Sequence, residues 1–436
     1  VEGSTDDIEE LVRKYDIQQI VVAIPSSTPA ERKRIYRVCT KTECVLKTLP
    51  NIRDLRIDEL GDVALRDVDV TDLLGREEVQ LDMRIAYAYV AGETVLVTGG
   101  GGSIGSELCR QLAKVAPRRI VIFDICENDA YMLRQELLRS YDDIAIDIEI
   151  GSICNEARVN EVFEKYHPAV VFHAAAHKHV PLMEVCPREA IENNVFGTFN
   201  TADMARRYGA EKFVLISTDK AVNPTNVMGC TKRLAEIYVQ SLGLSIEQGR
   251  TPGKTRFVTT RFGNVLGSNG SVIPRFRDQI SKGGPVTVTH PDITRFFMTI
   301  PEACRLVMEA ATMSTGNQIF VFDMGESVKI AHLARRMISL AGFEPEKDIR
   351  IEYTGLRPGE KLYEEVLSNK ENTLPTTHDR IRIAKVREYD YGEACGVAEE
   401  LETLSRKVEI PDMIRLMKRT VPEFKSKNSR FEVYDK

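Results

Sequence analysis

Residues 94–105 read TVLVTGGGGSIG, and this stretch decides the fold. It begins with a short run of apolar and β-branched residues, which predicts a strand, and a glycine-rich turn follows directly. Three glycines spaced three residues apart permit a tight turn, close approach of the backbone to a pyrophosphate, and close packing of helix on strand. A helix from about Ser106 would direct backbone amides at that anion. The candidate cofactor-binding residues here are Gly99, Gly102, Ser103, Ile104 and Gly105.

Asp124 supports a dinucleotide site, because it ends the next predicted strand, about 20 residues after the turn. A carboxylate in this place accepts hydrogen bonds from the adenosine ribose and repels a 2′-phosphate, which favours NAD over NADP. Asp124 could instead cap the following helix, since Asp is common after strands. The glycine-rich turn favours the cofactor interpretation.

Strands alternate with helical stretches along the rest of the chain, which is typical of a doubly wound parallel sheet. We therefore predict an α/β protein with a Rossmann fold. Beyond about Asn264 the sequence becomes richer in Gly and Pro and then predicts helices at 301–313 and 330–341, where a smaller C-terminal substrate subdomain would lie. The other predicted strands are residues 119–123, 144–150, 169–172, 212–216 and 256–260.

The first 60 residues predict a partial N-terminal α/β domain. Residues 4–7 resemble a capping box that opens an amphipathic helix, and a strand at 20–24, a helix at about 29–39 and a short strand at 45–46 follow. The predicted organisation is a partial domain at 1–60, a connector at 61–91, a dinucleotide-binding domain at 92–263, a mainly substrate-binding subdomain at 264–390 interleaved with it, and a partly helical tail at 391–436.

Composition argues against several classes of protein. Of the 436 residues, 43% are hydrophobic and 28% are charged, which is the balance of a packed globular protein. A net charge of -6 without a long basic run argues against a nucleic-acid partner. Nine cysteines without a Cys-x-x-Cys pair indicate neither a disulfide scaffold nor a zinc ribbon, and they fit a reducing cytoplasm.

The stretch STDKAVNPTNVMGCTK, residues 217–232, carries the strongest catalytic signal. It starts at the end of the fifth strand, and ligands of open α/β sheets bind outside the carboxyl ends of the strands, so Thr218, Asp219 and Lys220 would line the cleft. An adjacent acid and base can do opposite jobs on one substrate. Met228 and Lys232 are one helical turn apart and share a face.

Two further stretches carry a resemblance to a known family. The glycine turn resembles that of the extended short-chain dehydrogenase/reductase superfamily, while FHAAAHKHVPLME (172–184) and NNVFGT (193–198) resemble the bacterial polysaccharide-biosynthesis dehydratases of the capsule and flagellin-glycan type. The resemblance covers Thr94 to about Val366. It implies an NAD-dependent UDP-N-acetylglucosamine 4,6-dehydratase, a lyase that supplies sugars for bacterial glycans or protein glycosylation.

The N-terminal part is similar to the region that follows the transmembrane helices in the long-form members of that family. The chain begins with Val1 rather than Met, and it contains no apolar run of the roughly 18 residues that span a membrane. We therefore expect a cytoplasmic domain of a protein anchored in the bacterial inner membrane. The oligomeric state is left open, with a homo-oligomer as one expectation.

The resemblance also implies a mechanism. Hydride would pass from C4 of the sugar to NAD+, water would leave across C5 and C6, and the hydride would return to C6. Lys220 would be the base at C5, Asp219 the acid at O6, and Lys232 would hold the nicotinamide ribose. Met228 stands where the wider superfamily has a proton-accepting tyrosine. Methionine is the usual residue there in long-form dehydratases, although a helical Met alone is more often core packing, and Thr218 or a water would relay the C4 hydroxyl proton.

Other family motifs predict further contacts. Small residues after the fourth strand let the backbone lie against a cofactor. Two arginines suit a diphosphate, because a guanidinium can bind two oxygens, unless they pair with local carboxylates. A glutamate suits ribose hydroxyls. The additional candidate cofactor residues are Ser152, Ile153, Ala174, Ala175, Ala176 and Asn194. The candidate substrate residues are His177, Lys178, Asn264, Val272, Arg295, Arg357 and Glu360.

Two positions depart from the family pattern. Ser152 stands where an Asp commonly contacts adenine, and His177 stands where a tyrosine is usual. His173, His177 and His179 could suggest a metal site, but no helix is predicted across them and no acidic ligand follows at a known spacing. Loop packing or substrate contact is therefore favoured.

Two other functions compete with the dehydratase. A UDP-sugar 4-epimerase shares the fold and the hydride chemistry but normally relies on the tyrosine that Met228 replaces. A non-catalytic NAD-binding sensor or scaffold would keep the cofactor site around an inactive centre. Thr218, Asp219, Lys220 and Lys232 argue against that last interpretation.

Overall fold

The computed structural model describes residues 1–24, 27–39, 42, 44–49, 66–68, 89–365 and 372–435. The predicted connector at 61–91, and with it the boundary near residue 60, falls almost entirely outside these residues. The chain divides into two compact units, which we describe separately. Unit 1 is Val1–Val79, Leu266–Arg295 and Val328–Gly355, and unit 2 is Gln80–Val265, Phe296–Ser327 and Leu356–Lys436. The predicted domain boundaries remain predictions.

Elements are numbered in chain order over the described residues. The strands are β1 (Gln19–Val22), β2 (Val45–Thr48), β3 (Arg66–Asp67), β4 (Thr94–Thr98), β5 (Arg119–Asp124), β6 (Ala145–Ile150), β7 (Val170–His173), β8 (Lys212–Ile216), β9 (Arg256–Arg261), β10 (Asn264–Val265), β11 (Val286–Val288), β12 (Thr294–Arg295), β13 (Phe297–Met298), β14 (Gln318–Phe322), β15 (Val328–Lys329), β16 (Ile351–Tyr353), β17 (Asn372–Pro375) and β18 (Ile381–Lys385). The α-helices are α1 (Ile8–Tyr15), α2 (Pro29–Cys39), α3 (Ser103–Ala113), α4 (Glu127–Leu138), α5 (Glu156–Tyr166), α6 (Val180–Val185), α7 (Pro187–Ile191), α8 (Gly197–Arg207), α9 (Val227–Glu247), α10 (Val272–Ser281), α11 (Ile300–Met313), α12 (Ile330–Leu340), α13 (Tyr391–Arg406) and α14 (Ile410–Thr420).

Unit 1 begins with the predicted capping box. The Ser4 hydroxyl and amide both bind the Asp7 carboxylate at 2.8 Å, which closes a 3-10 turn ahead of α1. Strands β1 and β2 pair in parallel and β3 joins β2 antiparallel. A small core that includes Val22, Tyr36 and Leu46 lies between these elements. The predicted helix, strand, helix, strand order is therefore present.

Unit 2 is built on a nine-stranded sheet in the order β17-β18-β14-β9-β8-β7-β4-β5-β6. Seven strands of this sheet pair in parallel, in the order β14-β9-β8-β7-β4-β5-β6. Strands β18 and β17 add an antiparallel hairpin at the β14 edge. Residues of β4, β7 and β8 are buried almost throughout, as expected for a parallel sheet covered on both faces. The predicted α/β class with a doubly wound parallel sheet is confirmed.

The helix after the glycine turn begins earlier than the sequence predicts. We expect a start near Ser106, but α3 begins at Ser103, with Gly102 as its N-cap and the Ser106 amide donating to the Gly102 carbonyl at 2.8 Å. Glycine propensity argues against a helix there, whereas tertiary packing of the turn overrides it. The helix N-terminus consequently lies within the glycine run.

Candidate active site

The glycine turn is held against the loop that follows β7. Gly99 has φ +66°, and a Cβ on it would lie 2.6 Å from the Ala175 amide nitrogen. A Cβ on Gly105 would lie 2.1 Å from the Gly99 carbonyl oxygen. Since β5 and β7 flank β4 on opposite sides, this turn and the Ala174–Ala176 run meet where the strand order reverses. Ligands of doubly wound folds bind at such a point.

Asp124 is bound to both neighbouring backbone segments. Its carboxylate accepts hydrogen bonds from the Gly101 amide and from the Cys126 amide, each at 2.8 Å. The side chain therefore fixes the turn before α4 and also reaches the glycine turn. A carboxylate offers about four acceptor sites, so two remain for hydroxyl donors.

His173 has a packing role. The ring is fully buried, with Nδ1 2.9 Å from Thr98 Oγ1 and Nε2 3.0 Å from Thr198 Oγ1. Burial and, to a smaller extent, the nearby Lys232 lower the pKa of this imidazole to about 3, so the ring is neutral. Over the described ranges, no group of three or more His, Cys, Asp or Glu side chains is placed to hold a metal ion.

Asn194 lies behind the loop between β7 and α6. Its side chain accepts from the His177 amide at 2.8 Å, donates to the His177 carbonyl at 2.9 Å and reaches Thr231 Oγ1 at 3.1 Å. Asn194 is completely buried, so it shapes the loop and ties it to α9. Its predicted contact with a cofactor stays a prediction. His177 and Lys178 are exposed on the same loop.

The loop after β6 holds two predicted cofactor residues, Ser152 and Ile153. Ser152 Oγ accepts from the Cys154 amide at 3.2 Å, which closes a local turn. Ile153 is buried in the core, close beneath Gly197. These contacts position the loop, and a role towards adenine stays a prediction.

Thr218, Asp219 and Lys220 form a compact hydrogen-bonded group on the 3-10 turn after β8. Thr218 Oγ1 donates to Asp219 Oδ1 at 2.9 Å, and Lys220 Nζ donates to the same oxygen at 3.0 Å. Asn264 Oδ1 accepts from Lys220 Nζ at 2.9 Å. Asn264 thus positions Lys220 Nζ. The sequence analysis had suggested Asn264 only as a substrate contact. Asp219 is fully buried, and its Oδ2 has no hydrogen-bond partner among the described residues.

Helix α9, which carries Met228 and Lys232, packs on this turn. The Gly229 amide donates to Asn226 Oδ1 at 2.7 Å, which caps the helix, and a Cβ on Gly229 would lie 2.2 Å from the Lys220 carbonyl oxygen. Both Met228 and Lys232 are buried. Burial lowers the pKa of Lys232 to about 8, although nearby Glu236 opposes the shift.

Glu236 is a central residue of the site that the sequence reasoning missed. It accepts from Ser217 Oγ at 2.6 Å, from Arg261 at 2.8 and 2.6 Å, and from Arg233 at 3.1 Å. Burial opposes its ionisation, but Arg261 and Arg233 outweigh burial and lower the pKa of Glu236 to about 2. Its position one helical turn after Lys232 was the available signal.

The segment 356–365 carries the predicted residues Arg357 and Glu360, and also Glu364, which the sequence analysis did not single out. The Arg357 amide donates to the Glu360 carboxylate at 3.0 Å, so Glu360 closes a local turn. Glu364 was not predicted, yet its Oε1 lies 3.7 Å from Lys220 Nζ. Val272 and Arg295 belong to unit 1, and their part in a substrate site stays a prediction.

The loop at 222–226, between the 3-10 turn Asp219–Ala221 and α9, is held by two distant segments. The Lys425 and Lys427 amides donate to the Pro224 and Thr225 carbonyls, each at 3.1 Å. The Gly359 amide donates to the Lys427 carbonyl at 2.7 Å, which joins the two holding segments to each other. The loop is therefore fixed by residues more than a hundred positions away in sequence.

Within the described part of the chain, no helix is long and apolar enough to cross a membrane.

Comparison with known proteins identifies the family to which this chain belongs. The chain is 48% identical over 402 residues to "Capsular polysaccharide biosynthesis protein CapD" of Staphylococcus aureus, covering 92% of this chain and 66% of that protein. It is 36% identical over 283 residues to the UDP-glucose 4-epimerase of Rickettsia massiliae, covering 64% of this chain and 79% of that protein. The chain thus spans slightly less than two thirds of the length of CapD.

The solved structure of Pen from Bacillus thuringiensis is 33% identical with a TM-score of 0.62, covering 68% of this chain and 88% of that one. The model of the family described as "Polysaccharide biosynthesis protein" matches residues 95–386. That range contains the glycine turn, Asp124, the 3-10 turn Asp219–Ala221 and the segment 356–365. The chain therefore belongs to the polysaccharide biosynthesis protein family.

Proposed function

We propose that this protein dehydrates UDP-N-acetylglucosamine to the UDP-4-keto-6-deoxy sugar with NAD as a recycled cofactor, supplying a bacterial glycan or protein-glycosylation sugar. The observation that carries this proposal is the contact between the Asp219 carboxyl group and the Lys220 amino group, 3.0 Å apart at the carboxyl end of β8. Dehydration needs one group that removes a proton and another that donates one to the departing oxygen. The relationship to CapD supports a role in polysaccharide synthesis.

The residues around the glycine turn fit NAD. Gly99 and Gly105 leave no room for side chains, the N-terminus of α3 offers backbone amides, and Asp124 keeps acceptor sites for ribose hydroxyls. NAD+, when bound, would accept hydride from C4 of the sugar and return it to C6. Lys232 would hold the nicotinamide ribose.

Protons balance over the proposed cycle. Lys220 removes the C5 proton and Asp219 gives a proton to the C6 hydroxyl, so the C6–O bond breaks and water leaves. Lys220 then returns a proton to C5. The proton for the C6 oxygen comes from the C4 hydroxyl, which releases it in the first step to the Asp219 carboxylate through Thr218, whose hydroxyl donates to Asp219 Oδ1 at 2.9 Å. This contact supports Thr218 as the relay that replaces a tyrosine at Met228.

A UDP-sugar 4-epimerase is the second candidate, and the relationship to the Rickettsia epimerase favours it. Epimerisation needs hydride transfer at C4 but no acid at O6, and Met228 cannot take the C4 hydroxyl proton. The buried Asp219 beside Lys220 therefore favours dehydration. A non-catalytic NAD-binding scaffold would not need this pair.

Mass spectrometry of the sugar nucleotide separates the three functions. The protein is incubated with NAD and UDP-N-acetylglucosamine, and loss of one water without accumulation of NADH is expected. An isomer of unchanged mass would establish the epimerase, and an unchanged substrate would contradict both enzymes. Lys220→Ala is expected to abolish the water loss while NAD still binds. Full turnover in that variant would contradict the assignment of the base.

A further inference from the structure

Asn226 joins two parts of the candidate site through one side chain. Its Oδ1 accepts from the Gly229 amide at 2.7 Å and so caps α9, while its Nδ2 donates to the Gly359 carbonyl at 3.0 Å. Asn226 is only 3% exposed, so both hydrogen bonds lie in a largely dry environment. Because an amide carries both a donor and an acceptor, one side chain serves two segments that are distant in sequence.

The Gly359 carbonyl lies among the predicted nucleotide contacts. Gly359 stands between Arg357 and Glu360 in sequence, and the Arg357 amide donates to the Glu360 carboxylate at 3.0 Å, which closes a turn around it. Gly359 has φ +77°, and a Cβ on it would lie 2.5 Å from the Asn226 Cβ. Glycine thus lets the backbone of this turn lie directly against Asn226. A ligand that fixes Arg357 and Glu360 therefore also fixes the carbonyl that Asn226 binds.

Two further hydrogen bonds attach the same segment to the loop at 222–226. Thr225 Oγ1 donates to the Gly359 carbonyl at 2.9 Å. Lys361 Nζ, which is buried, donates to the Val222 carbonyl at 2.9 Å. The segment 356–365 is therefore attached to both ends of this loop.

The other side of Asn226 leads to the 3-10 turn that carries Asp219 and Lys220. The Val222 amide, at the start of the loop, donates to the Asp219 carbonyl at 3.1 Å. Helix α9 lies so close to the turn that a Cβ on Gly229 would be 2.2 Å from the Lys220 carbonyl oxygen. Gly229 is the residue whose amide Asn226 binds. A displacement of Asn226 consequently changes the packing of the turn.

We propose that Asn226 is a positioning residue that couples binding of a nucleotide at the segment 356–365 to ordering of the turn with Asp219 and Lys220. The inference rests on the proposed function, in which the nucleotide is the UDP part of the substrate. Binding energy from a part of the substrate that does not react can be used to orient the reacting groups. The nucleotide thus orders the side chains that act on the sugar, and the coupling acts equally in both directions.

Hydrogen–deuterium exchange with UDP as the probe tests the coupling without turnover. UDP lacks the sugar, so its effect on the turn must pass through the protein. In the NAD-loaded wild type, UDP is expected to slow amide exchange in a peptide covering residues 217–227 by about fivefold or more. Calorimetry measures UDP binding in parallel. UDP that binds but leaves this exchange unchanged, or UDP that does not bind, would overturn the proposal.

Two substitutions keep the cap of α9 and remove the donor to Gly359. Asn226→Asp and Asn226→Ser each retain an oxygen for the Gly229 amide, but an ionised carboxylate cannot donate and a serine is too short to reach Gly359. UDP is expected to bind both variants without slowing exchange at 217–227. The matched control is Asn155→Ser at the N-cap of α5, where Asn155 accepts from the Arg158 amide at 3.1 Å. A wild-type response in both Asn226 variants would contradict the assignment of Asn226.

Turnover gives the second readout for Asn226. In Asn226→Ser, kcat is expected to fall about tenfold while KM for UDP-N-acetylglucosamine stays within about twofold, because the nucleotide still binds but no longer orients the reacting groups. The midpoint of thermal unfolding should stay near that of the wild type, because the cap is kept. A raised KM with an unchanged kcat would assign Asn226 to nucleotide binding alone and overturn the coupling.

The proposed function and the coupling can fail separately. If the wild type shows the UDP effect on exchange but leaves UDP-N-acetylglucosamine unchanged, the function is wrong and the coupling stands. If the wild type removes water from the sugar nucleotide but UDP does not slow the exchange, the function stands and the coupling is wrong.

Discussion

At the scale of one residue, we expect Lys232 to make cofactor binding depend on pH. Its ammonium is buried on α9, and burial lowers its pKa to about 8. A lysine that holds a ribose as a cation therefore loses its charge in mildly alkaline solution, well before an exposed lysine would.

We expect NAD to bind roughly tenfold more weakly at pH 9.5 than at pH 7, because a charge-assisted hydrogen bond becomes a neutral one. Isothermal titration calorimetry across this range measures the change. In Lys232→Met the binding should be weak at both pH values. An equally steep pH dependence in that variant would assign the effect to another group.

Asp124 is expected to set the preference between the two dinucleotides. Asp124→Ser removes the charge that repels a 2′-phosphate but keeps an oxygen that can accept from the Cys126 amide. NAD binding should weaken about tenfold, and the ratio of NADP to NAD affinity should rise. Dissociation constants for both cofactors decide this, with the exposed Asp142→Ser as control. An unchanged ratio would leave Asp124 only its role in the turn.

At the scale of elements, one buried ion pair joins β8, β9 and α9. Arg261 is fully buried and pairs with Glu236, which also binds Ser217 at the end of β8. Breaking a buried pair leaves an uncompensated charge in a dry environment, which costs far more than loss of a surface pair.

Glu236→Gln is therefore expected to lower the free energy of unfolding by about 3–5 kcal/mol. The exposed pair of Glu400 with Arg419 provides the control, and Glu400→Gln should cost less than about 1 kcal/mol. Urea unfolding followed by circular dichroism measures both. Equal losses in the two variants would show that the buried network is no more important than a surface contact.

The sequence predicts the elements well and the contacts between them poorly. Apolar runs and glycine turns are local signals, so six of the seven described strands of the parallel sheet and the turn after β4 could be placed from the sequence alone, whereas β14 was missed. Glu236 and Glu364 were missed because their ion-pair partners lie on other elements. Glu236 pairs with Arg261 and Glu364 lies near Lys220. Asn264 and Asn194 were noticed, but their partners, Lys220 and His177, become visible only after folding.

At the scale of the whole molecule, His173 makes the free energy of unfolding depend on pH. Its pKa is about 3 in the folded protein and near 6.5 in an exposed imidazole, so the unfolded chain binds an extra proton between these values. The free energy of unfolding must then fall as the pH drops below about 6.5. Above that pH the neutral ring is favoured in both states, and this contribution to the pH dependence disappears.

His173→Gln should lose this dependence while keeping a side chain that can bind Thr98 and Thr198. Urea unfolding at pH 7 and pH 5 should show a smaller drop for the variant than for the wild type. His332→Gln, which changes an exposed ring, should keep most of the drop of the wild type, because burial and neighbouring cations lower the pKa of His332 less than burial lowers that of His173. Equal drops in all three proteins would contradict a neutral, buried His173.

The attachment of the loop at 222–226 has a consequence for how the protein is made. Its hydrogen-bond partners include Gly359, Lys425 and Lys427, which leave the ribosome long after the strands of the parallel sheet. A nascent chain that has exposed only the strands of the parallel sheet still lacks these partners of its 222–226 loop. The loop beside Asp219 and Lys220 can therefore complete its hydrogen bonds only when residue 427 has emerged from the ribosome.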